Sequence, residues 1–422
     1  MKISTGELAG RLSASLGGDA ITAEESQLTA HAVDSTIAKL ICTPATVEQL
    51  AAAVRICAEA QASIAPWGGG TAIILGNAPR TLDVVVKTYR LNRLIDHDHA
   101  NLTATAQSGI TLSALQTALM GQKQFVPFDP PLPERSTVGG IVAANLNGPR
   151  RSSYGSVRDL VIGIKVVLAS GETIKAGGKV VKNVAGYDMC KLFTGSLGSL
   201  GIITELTLRV APVPAQSATF IATGTLADVA ECASQLTRTK LLPTIAYLIG
   251  SGEIALWQLA VSFDGFAETV ERQTKAMMEI AQRLSLTHEA IDGAKQRNFW
   301  QAIAALPVCQ DRLIYRLTVP RGCLTQTIST ILDWIKIQPA LKICADVGMG
   351  TAWLLLPANQ PALELFPRLI ALAQQQRGHA IIFAAPASLK KSIEVWGATT
   401  PAHTLMRKIK QEFDPMGLLN PG

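Results

Sequence analysis

The sequence predicts an α+β protein of two principal domains, and three observations carry that prediction. An opening strand–helix–strand unit runs straight into Pro66-Trp67-Gly68-Gly69-Gly70-Thr71-Ala72, a glycine run on a strand-end loop. Small-residue and glycine-rich segments then recur as far as Gly201. Beyond Pro212-Val213-Pro214 the glycine density falls and longer helical patterns interleave with strands, as in a second α+β layer. The bounds that follow are an N-terminal helical arm at 1–35, a glycine-rich domain at 36–214, a second α+β domain at 215–400 and a closing segment at 401–422.

Each element has a local reason. Lys39 to Thr43 is a short apolar strand closed by Pro44. Thr46 and Gln49 have capping-box spacing, and Val47, Leu50, Val54 and Cys57 fall on one face of the helix they open. Ser63 to Pro66 is the strand that leads into the glycines. Three consecutive glycines pack nothing and lose the most backbone entropy on ordering, so their use is bare amide N–H groups that an anionic ligand can approach closely. Leu82 to Val86 and Leu102 to Gln107 read as strands, and Thr111 caps a helix with Leu112, Leu115 and Leu119 on one side. Pro127-Phe128-Asp129-Pro130-Pro131-Leu132-Pro133 forbids helix and central strand alike and reads as a stiff loop. Ser136 to Asn145 is built of small residues that either lie flat against a planar ligand or form a tightly packed buried helix. Leu160 to Leu168 and Thr173 to Ala176 form a hairpin through Ser170-Gly171, and Ile202 to Val210 closes the region as a strand. In the second domain, helices are expected at 226–241, 268–286 and 325–338, with strands at 254–261, 313–319 and 352–356.

Composition excludes several classes. At 422 residues, 48% apolar and 17% charged, the chain can bury sizeable cores and is not disordered. A formal net charge of +6 makes no case for nucleic acid, although eight basic residues against three acidic ones between Asn147 and Lys191 suit a phosphate- or carboxylate-bearing ligand. The seven cysteines stand singly, without zinc or iron–sulfur spacing, as reduced cytoplasmic thiols do. Met1 to Leu12 lacks the apolar core of a signal peptide, and no stretch reaches the ~20 apolar residues of a membrane span. A cytoplasmic chain is expected, with membrane contact only peripheral and through partners.

Taken in order, Gly68-Gly69-Gly70-Thr71, Ser136-Thr137-Val138-Gly139-Gly140, Tyr154-Gly155 with Asp159, and Gly198-Ser199-Leu200-Gly201-Ile202-Ile203-Thr204 resemble the FAD-binding domain of the vanillyl-alcohol-oxidase or p-cresol-methylhydroxylase (PCMH-type) superfamily. The resemblance covers about Thr36 to Pro214. The ending, Phe413-Asp414-Pro415 through Leu419-Asn420-Pro421-Gly422, resembles that family's C-terminal return to the FAD domain. Within the superfamily, Lys182-Asn183-Val184-Ala185-Gly186-Tyr187-Asp188 and the closing segment look most like the smaller flavin subunit of bacterial glycolate oxidase.

The resemblance implies a two-subdomain FAD-binding domain, an α+β cap domain and non-covalent FAD, since Thr71-Ala72-Ile73 offers no histidine for a covalent link. By position it implies cofactor contacts from Pro66, Trp67, Gly68, Gly69, Gly70, Thr71, Ala72, Pro130, Thr137, Gly139, Gly140, Ala143, Asn145, Arg151, Gly155, Asp159, Gly201, Ile203 and Asn420. Related 2-hydroxy-acid dehydrogenases use a histidine cluster in the second domain. Here His288 and His379 stand alone, and His97 and His99 lie in what reads as a charged turn, so no metal and no catalytic base is expected. The implied activity is FAD-dependent oxidation of glycolate to glyoxylate in a complex with a catalytic flavin subunit and an iron–sulfur subunit. The competing readings are a stand-alone FAD-dependent 2-hydroxy-acid dehydrogenase, with Tyr315 and Arg316 as candidate site residues and Arg316 gripping a substrate carboxylate, and a flavin-fold scaffold without turnover.

Overall fold

The computed structural model of the chain describes residues 3–179, 187–251, 256–308, 312–335, 341–390 and 393–422. It divides into two compact units. The first comprises Met1–Asn147, Gly155–Pro212 and Thr399–Gly422, and the second comprises Gly148–Tyr154 and Val213–Ala398.

The first unit holds three sheets, one of them only the two-stranded pair of Gln124–Phe125 and Ala211–Pro212. Of the other two, the smaller is four-stranded, in the order Ile21–Thr22, Leu40–Cys42, Val84–Lys87, Ile64–Trp67. Its last three strands are parallel, as a strand–helix–strand crossover requires. The crossover helix Val47–Glu59 is capped by Thr46, whose hydroxyl accepts the Gln49 N–H, while the Gln49 side chain reaches back to the N–H of Ala45 rather than Thr46. The helix buries Leu50, Val54 and Cys57 against Leu8, Leu12 and Leu16 of the helix Thr5–Leu16. The N-terminal arm thereby belongs to this core.

The second sheet of this unit is five-stranded and antiparallel, in the order Leu94–Asp98, Thr103–Gln107, Ile202–Arg209, Val161–Val167, Thr173–Gly177. Residues 96–99, expected as a turn, belong to or adjoin its edge strand. His97 pairs with Ala104, its Nε2 lies 2.8 Å from Gln124 Oε1, and Gln124 also donates to the His99 carbonyl. Alternating charges read as a loop because an edge strand can send polar side chains to water on either side.

The second unit is one eight-stranded antiparallel sheet, in the order Thr287–Asp292, Gln216–Gly224, Trp257–Gly265, Ile245–Ser251, Lys342–Asp346, Thr351–Pro357, Arg312–Thr318, His379–Ala384. One face packs against the helices Leu226–Thr237, Ala267–Arg283, Leu324–Ile335 and Phe366–Gln375. The other face carries a smaller cluster of Ile221, Ile245, Tyr247, Ala260, Cys344 and Trp300, the last from the helix Gly293–Ala305. Strand alternation sends Tyr315 and Arg316 to opposite faces. Tyr315 is fully buried among the helices, stacks on Phe366 and donates its hydroxyl to the Ala362 carbonyl at 2.8 Å. It is a core residue and not a site residue.

Candidate functional site

In the first unit the structure brings two of the predicted motifs together. The strand Ile64–Trp67 delivers the glycine loop against the segment 135–137. A side-chain carbon at Gly68 would lie 2.2 Å from the Thr137 hydroxyl, and one at Gly69 only 1.7 Å from the Arg135 carbonyl oxygen. Thr71 Oγ1 lies 2.9 Å from Ser136 Oγ, which donates to the Pro131 carbonyl at 2.7 Å. Gly70 takes φ +72° beside the Trp67 ring. Two of the three glycines are therefore demanded by the approach of another loop as well as by the space a ligand needs.

The backbone N–H groups of Gly68, Gly69, Gly70, Thr71 and Ala72 donate no hydrogen bond among the described residues, although the loop is half-buried. Buried or half-buried donors left open in a row are what an anion such as a pyrophosphate satisfies. The Ser108 hydroxyl is likewise buried without a partner among the described residues. It lies against Gly139, whose N–H donates to the Ser108 carbonyl at 2.8 Å and where a side-chain carbon would sit 2.6 Å from Ser108 Cβ. Sequence reading passed over Ser108, since a single serine at a strand end carries no spacing signal.

Thr137 caps the helix Val138–Ala144, accepting the Gly140 N–H at 3.2 Å. The small-residue stretch is thus the buried helix, with Gly139, Gly140 and Ala143 along it and Asn145 closing it at φ +48°. Pro130 is buried in the proline loop. Ile203 is buried in its strand opposite Val166, and a side chain at Gly201 would strike Val166.

The closing segment joins the same unit. Leu419 forms a parallel bridge with Ile64, the Asn420 N–H donates to the Ile64 carbonyl at 2.8 Å, and its side-chain amide donates to the Leu197 carbonyl at 2.5 Å. Asp414, 2% exposed, holds the turn: Oδ1 accepts the Leu418 N–H at 3.0 Å, and Oδ2 accepts the Leu419 N–H at 2.7 Å and the Lys410 ammonium at 2.5 Å. Lys410 also donates to the Ser199 and Leu419 carbonyls, and desolvation lowers its pKa.

Two predicted residues and one predicted motif stand apart. Asp159 has committed Oδ2 to the Ser156 hydroxyl and N–H, bonds that hold its carboxyl below the usual range; its evident task is the tight turn after Gly155, at φ +90°. Arg151, expected beside the cofactor, lies in the excursion Gly148–Tyr154 and clusters with the second unit. Of the Lys182–Asp188 motif, residues 182–186 lie outside the described residues; Asp188 caps the helix Met189–Phe193.

In the second unit Arg151 finds a different company. Arg316 projects from the face opposite Tyr315, with its guanidinium carbon 5.7 Å from the Trp353 ring and 5.6 Å from the Phe383 ring. Neither Arg316 nor Arg151 has an ion-pair partner among the described residues. Desolvation and the nearby Arg151 charge bring Arg316 down to about 10. A desolvated guanidinium with a second cation nearby and no counter-charge is a receptive place for a small anion. On the same face stand Thr318 and Thr351, with hydroxyls 3.3 Å apart, and His379, lowered by desolvation and the Arg316 charge. No group of three or more His, Cys, Asp and Glu side chains able to hold a metal occurs among the described residues.

The sequence matches the FAD binding domain family over residues 38–177 and the C-terminal domain of FAD linked oxidases over residues 397–422. It is 30% identical over 417 residues to the glycolate oxidase subunit GlcD of Bacillus subtilis (strain 168), covering 90% of this chain and 87% of that protein. It is 29% identical over 350 residues to the glycolate oxidase subunit GlcE of Escherichia coli (strain K12), covering 81% and 86%. Among solved structures, p-cresol methylhydroxylase superposes with a TM-score of 0.75 over 99% of this chain and 96% of that one, at 17% identity, and so shares the fold. The chain belongs to the family of FAD-linked oxidoreductases with a PCMH-type FAD-binding domain.

Proposed function

We propose that the chain is the FAD-bearing subunit of a 2-hydroxy-acid dehydrogenase of the glycolate oxidase kind, and that it oxidises glycolate to glyoxylate. The open amides of Gly68 to Ala72 would hold the FAD pyrophosphate non-covalently, with the Thr71 hydroxyl beside them. Thr137, Gly139, Gly140, Ala143 and Ser108 would line the cofactor, and Gly201 and Ile203 would flank it. Bound FAD supplies an acceptor for the hydride that leaves the substrate carbon. The observation that carries the substrate reading is the uncompensated pair Arg316 and Arg151, which offers a planar fork of donors to a carboxylate. The onward relay would lie in other polypeptides, an iron–sulfur subunit and a second flavin subunit, because the seven cysteines of this chain have no cluster spacing. Among the described residues no helix is long and apolar enough to cross a membrane, so membrane contact would come through such partners.

Anaerobic mixing of the purified chain with glycolate and with D-lactate tests the reading. Bleaching of the flavin by the chain alone is expected; bleaching only after the partner subunits are added would return the oxidation to a partner. Acid precipitation should leave the flavin in the supernatant, and a yellow pellet would disprove non-covalent binding. Arg316→Lys keeps the charge and loses the fork, so KM for glycolate should rise by about 10- to 100-fold, the equivalent of roughly 1.4–3 kcal/mol. An unchanged KM would remove Arg316 from the site.

A further inference from the structure

The four-stranded sheet of the first unit is covered on both faces, and residues 28–38 cover part of the second. Strand alternation turns Leu40, Cys42, Ile64, Val84 and Val86 into the core that holds Leu12, Leu50 and Val54. It turns Ile41, Ala65 and Val85 the other way, into a separate cluster completed by Leu82 and by Val33 and Ala38 of the N-terminal arm. Three half-buried side chains pack on that cluster, Leu28, Trp67 and Ile73. The last two stand on either side of the five open amides from Gly68 to Ala72. Both ends of the glycine loop are therefore pinned to one patch of core, and the arm supplies part of that patch.

Trp67 makes the closer contact with the loop. The sheet fixes its backbone, since its carbonyl accepts the Thr88 N–H at 2.9 Å, but leaves its ring to be placed by neighbours. The indole lies along Gly70, where a side-chain carbon would be 2.7 Å from Trp67 Cζ2. From the arm, His31 closes the helix Glu25–Ala30 and sets its ring 4.9 Å from the Trp67 ring, tilted by 56°. That separation is within the range of a favourable aromatic pair. The His31 ring is itself held. Its Nδ1 lies 2.8 Å from the Gln27 carbonyl oxygen, which can only accept, so Nδ1 carries the hydrogen. Just downstream the chain turns back through Asp34 and Ser35, at φ +46° and +68°, between reciprocal N–H to carbonyl bonds of Val33 and Thr36 at 2.9 and 2.8 Å. A six-residue helix is marginal by itself, so these contacts and not helix propensity hold His31 in place.

We propose that His31 is a positioning residue for FAD: through the Trp67 ring it holds Gly70, and with it the row of open amides, in the arrangement that receives the pyrophosphate. The assignment deepens the reading of the glycine loop given above and rests on it. Among the described residues the amides of Gly68 to Ala72 donate to nothing, so their alignment before the ligand arrives has to come from the side chains within and beside the loop. The Thr71 hydroxyl, on Ser136, is one such hold, and the Trp67 ring is another. A loop that must be ordered on binding gives up affinity, and a loop already in order does not. The arm then belongs to the cofactor site without touching the cofactor.

The test measures FAD affinity of the full chain, stripped of flavin and titrated with FAD by flavin fluorescence. His31→Ala should raise Kd about 3- to 10-fold, the worth of one aromatic pair. His31→Phe keeps a ring against Trp67 and should return Kd to within about twofold of the parent. Trp67→Leu should raise Kd further than His31→Ala does. In the Trp67→Leu background His31→Ala should change Kd less than about twofold, because the two residues act through one contact. A His31 that only supports the fold would weaken both backgrounds alike. Parent-like Kd in His31→Ala, an equal loss in both backgrounds, or no recovery in His31→Phe would each overturn the proposal. Should Trp67→Leu hold no measurable FAD, the recovery in His31→Phe decides. Circular dichroism of the stripped chains is the folding control, since His31 lies outside the core around Leu12, Leu50 and Val54. Parent-like Kd in Gly69→Ala would bring down the loop reading itself, whereas parent-like Kd in His31→Ala alone removes only the contribution of the arm.

Discussion

Replacing Gly69 with alanine is expected to give a folded chain that purifies almost free of FAD. The added methyl carbon would sit 1.7 Å from the Arg135 carbonyl oxygen, far inside van der Waals contact. That carbonyl cannot swing away cheaply, because the flanking Arg135 and Ser136 N–H groups both donate to the Leu132 carbonyl, at 2.9 and 2.7 Å. The glycine loop must retreat instead, and its five open amides lose their common focus. The core of this unit lies around Leu12, Leu50 and Val54, away from that contact, so the chain should still fold. An affinity loss of at least about 100-fold, roughly 2.7 kcal/mol, is the expected scale for a misplaced anion site. The ratio of flavin to protein absorbance after gel filtration checks it, with circular dichroism as the folding control. A variant with normal flavin content would show that the loop does not hold the cofactor.

Asp414→Ala should be the most destabilising single change in the closing segment. It strands the Lys410 ammonium and two buried N–H groups, those of Leu418 and Leu419, at once. Removing one partner of a buried ion pair costs about 3–5 kcal/mol. Asp414→Asn keeps an oxygen for one amide and should lose less. Denaturant midpoints of the two variants give the comparison, and flavin content should fall in the same order, because Leu418 and Asn420 bond to Ile64 on the strand that carries the glycine loop. A midpoint unchanged in Asp414→Ala would mean that the segment is held by its apolar contacts alone.

The glycine loop, the Thr46 and Thr111 caps and the 170–171 hairpin were legible because their causes are local. A capping hydroxyl and the amide it serves are three residues apart, as Thr46 and Gln49 are. Tyr315 and Arg316 were named together as candidates, and it took the sheet to show that they face opposite ways and that Tyr315 enters the helical core. The nearness of Arg151 to Arg316 was illegible for the opposite reason. Nothing near either residue in sequence marks it; it comes from the burial of Arg316 and from an excursion of the chain that brings Arg151 out of the glycine-rich stretch of sequence to cluster with the second unit. His97 and His99 misled because an edge strand with polar side chains has the composition of a loop.

The C-terminal return sets an order of events in the cell. Chains are made from the N-terminus, so Ile64 and the glycine loop emerge early, whereas residues 414–421 emerge only after the whole of the second unit. Until then Ile64–Trp67 is the bare edge of its four-stranded sheet, with unpaired backbone groups that invite a wrong neighbour. The nascent chain therefore has a long interval in which this strand needs shielding, and under the proposed function flavin capture becomes a late, post-translational step. Newly made chains should pass through a soluble, colourless intermediate, and a shortage of chaperones should lower their flavin content before it lowers their amount.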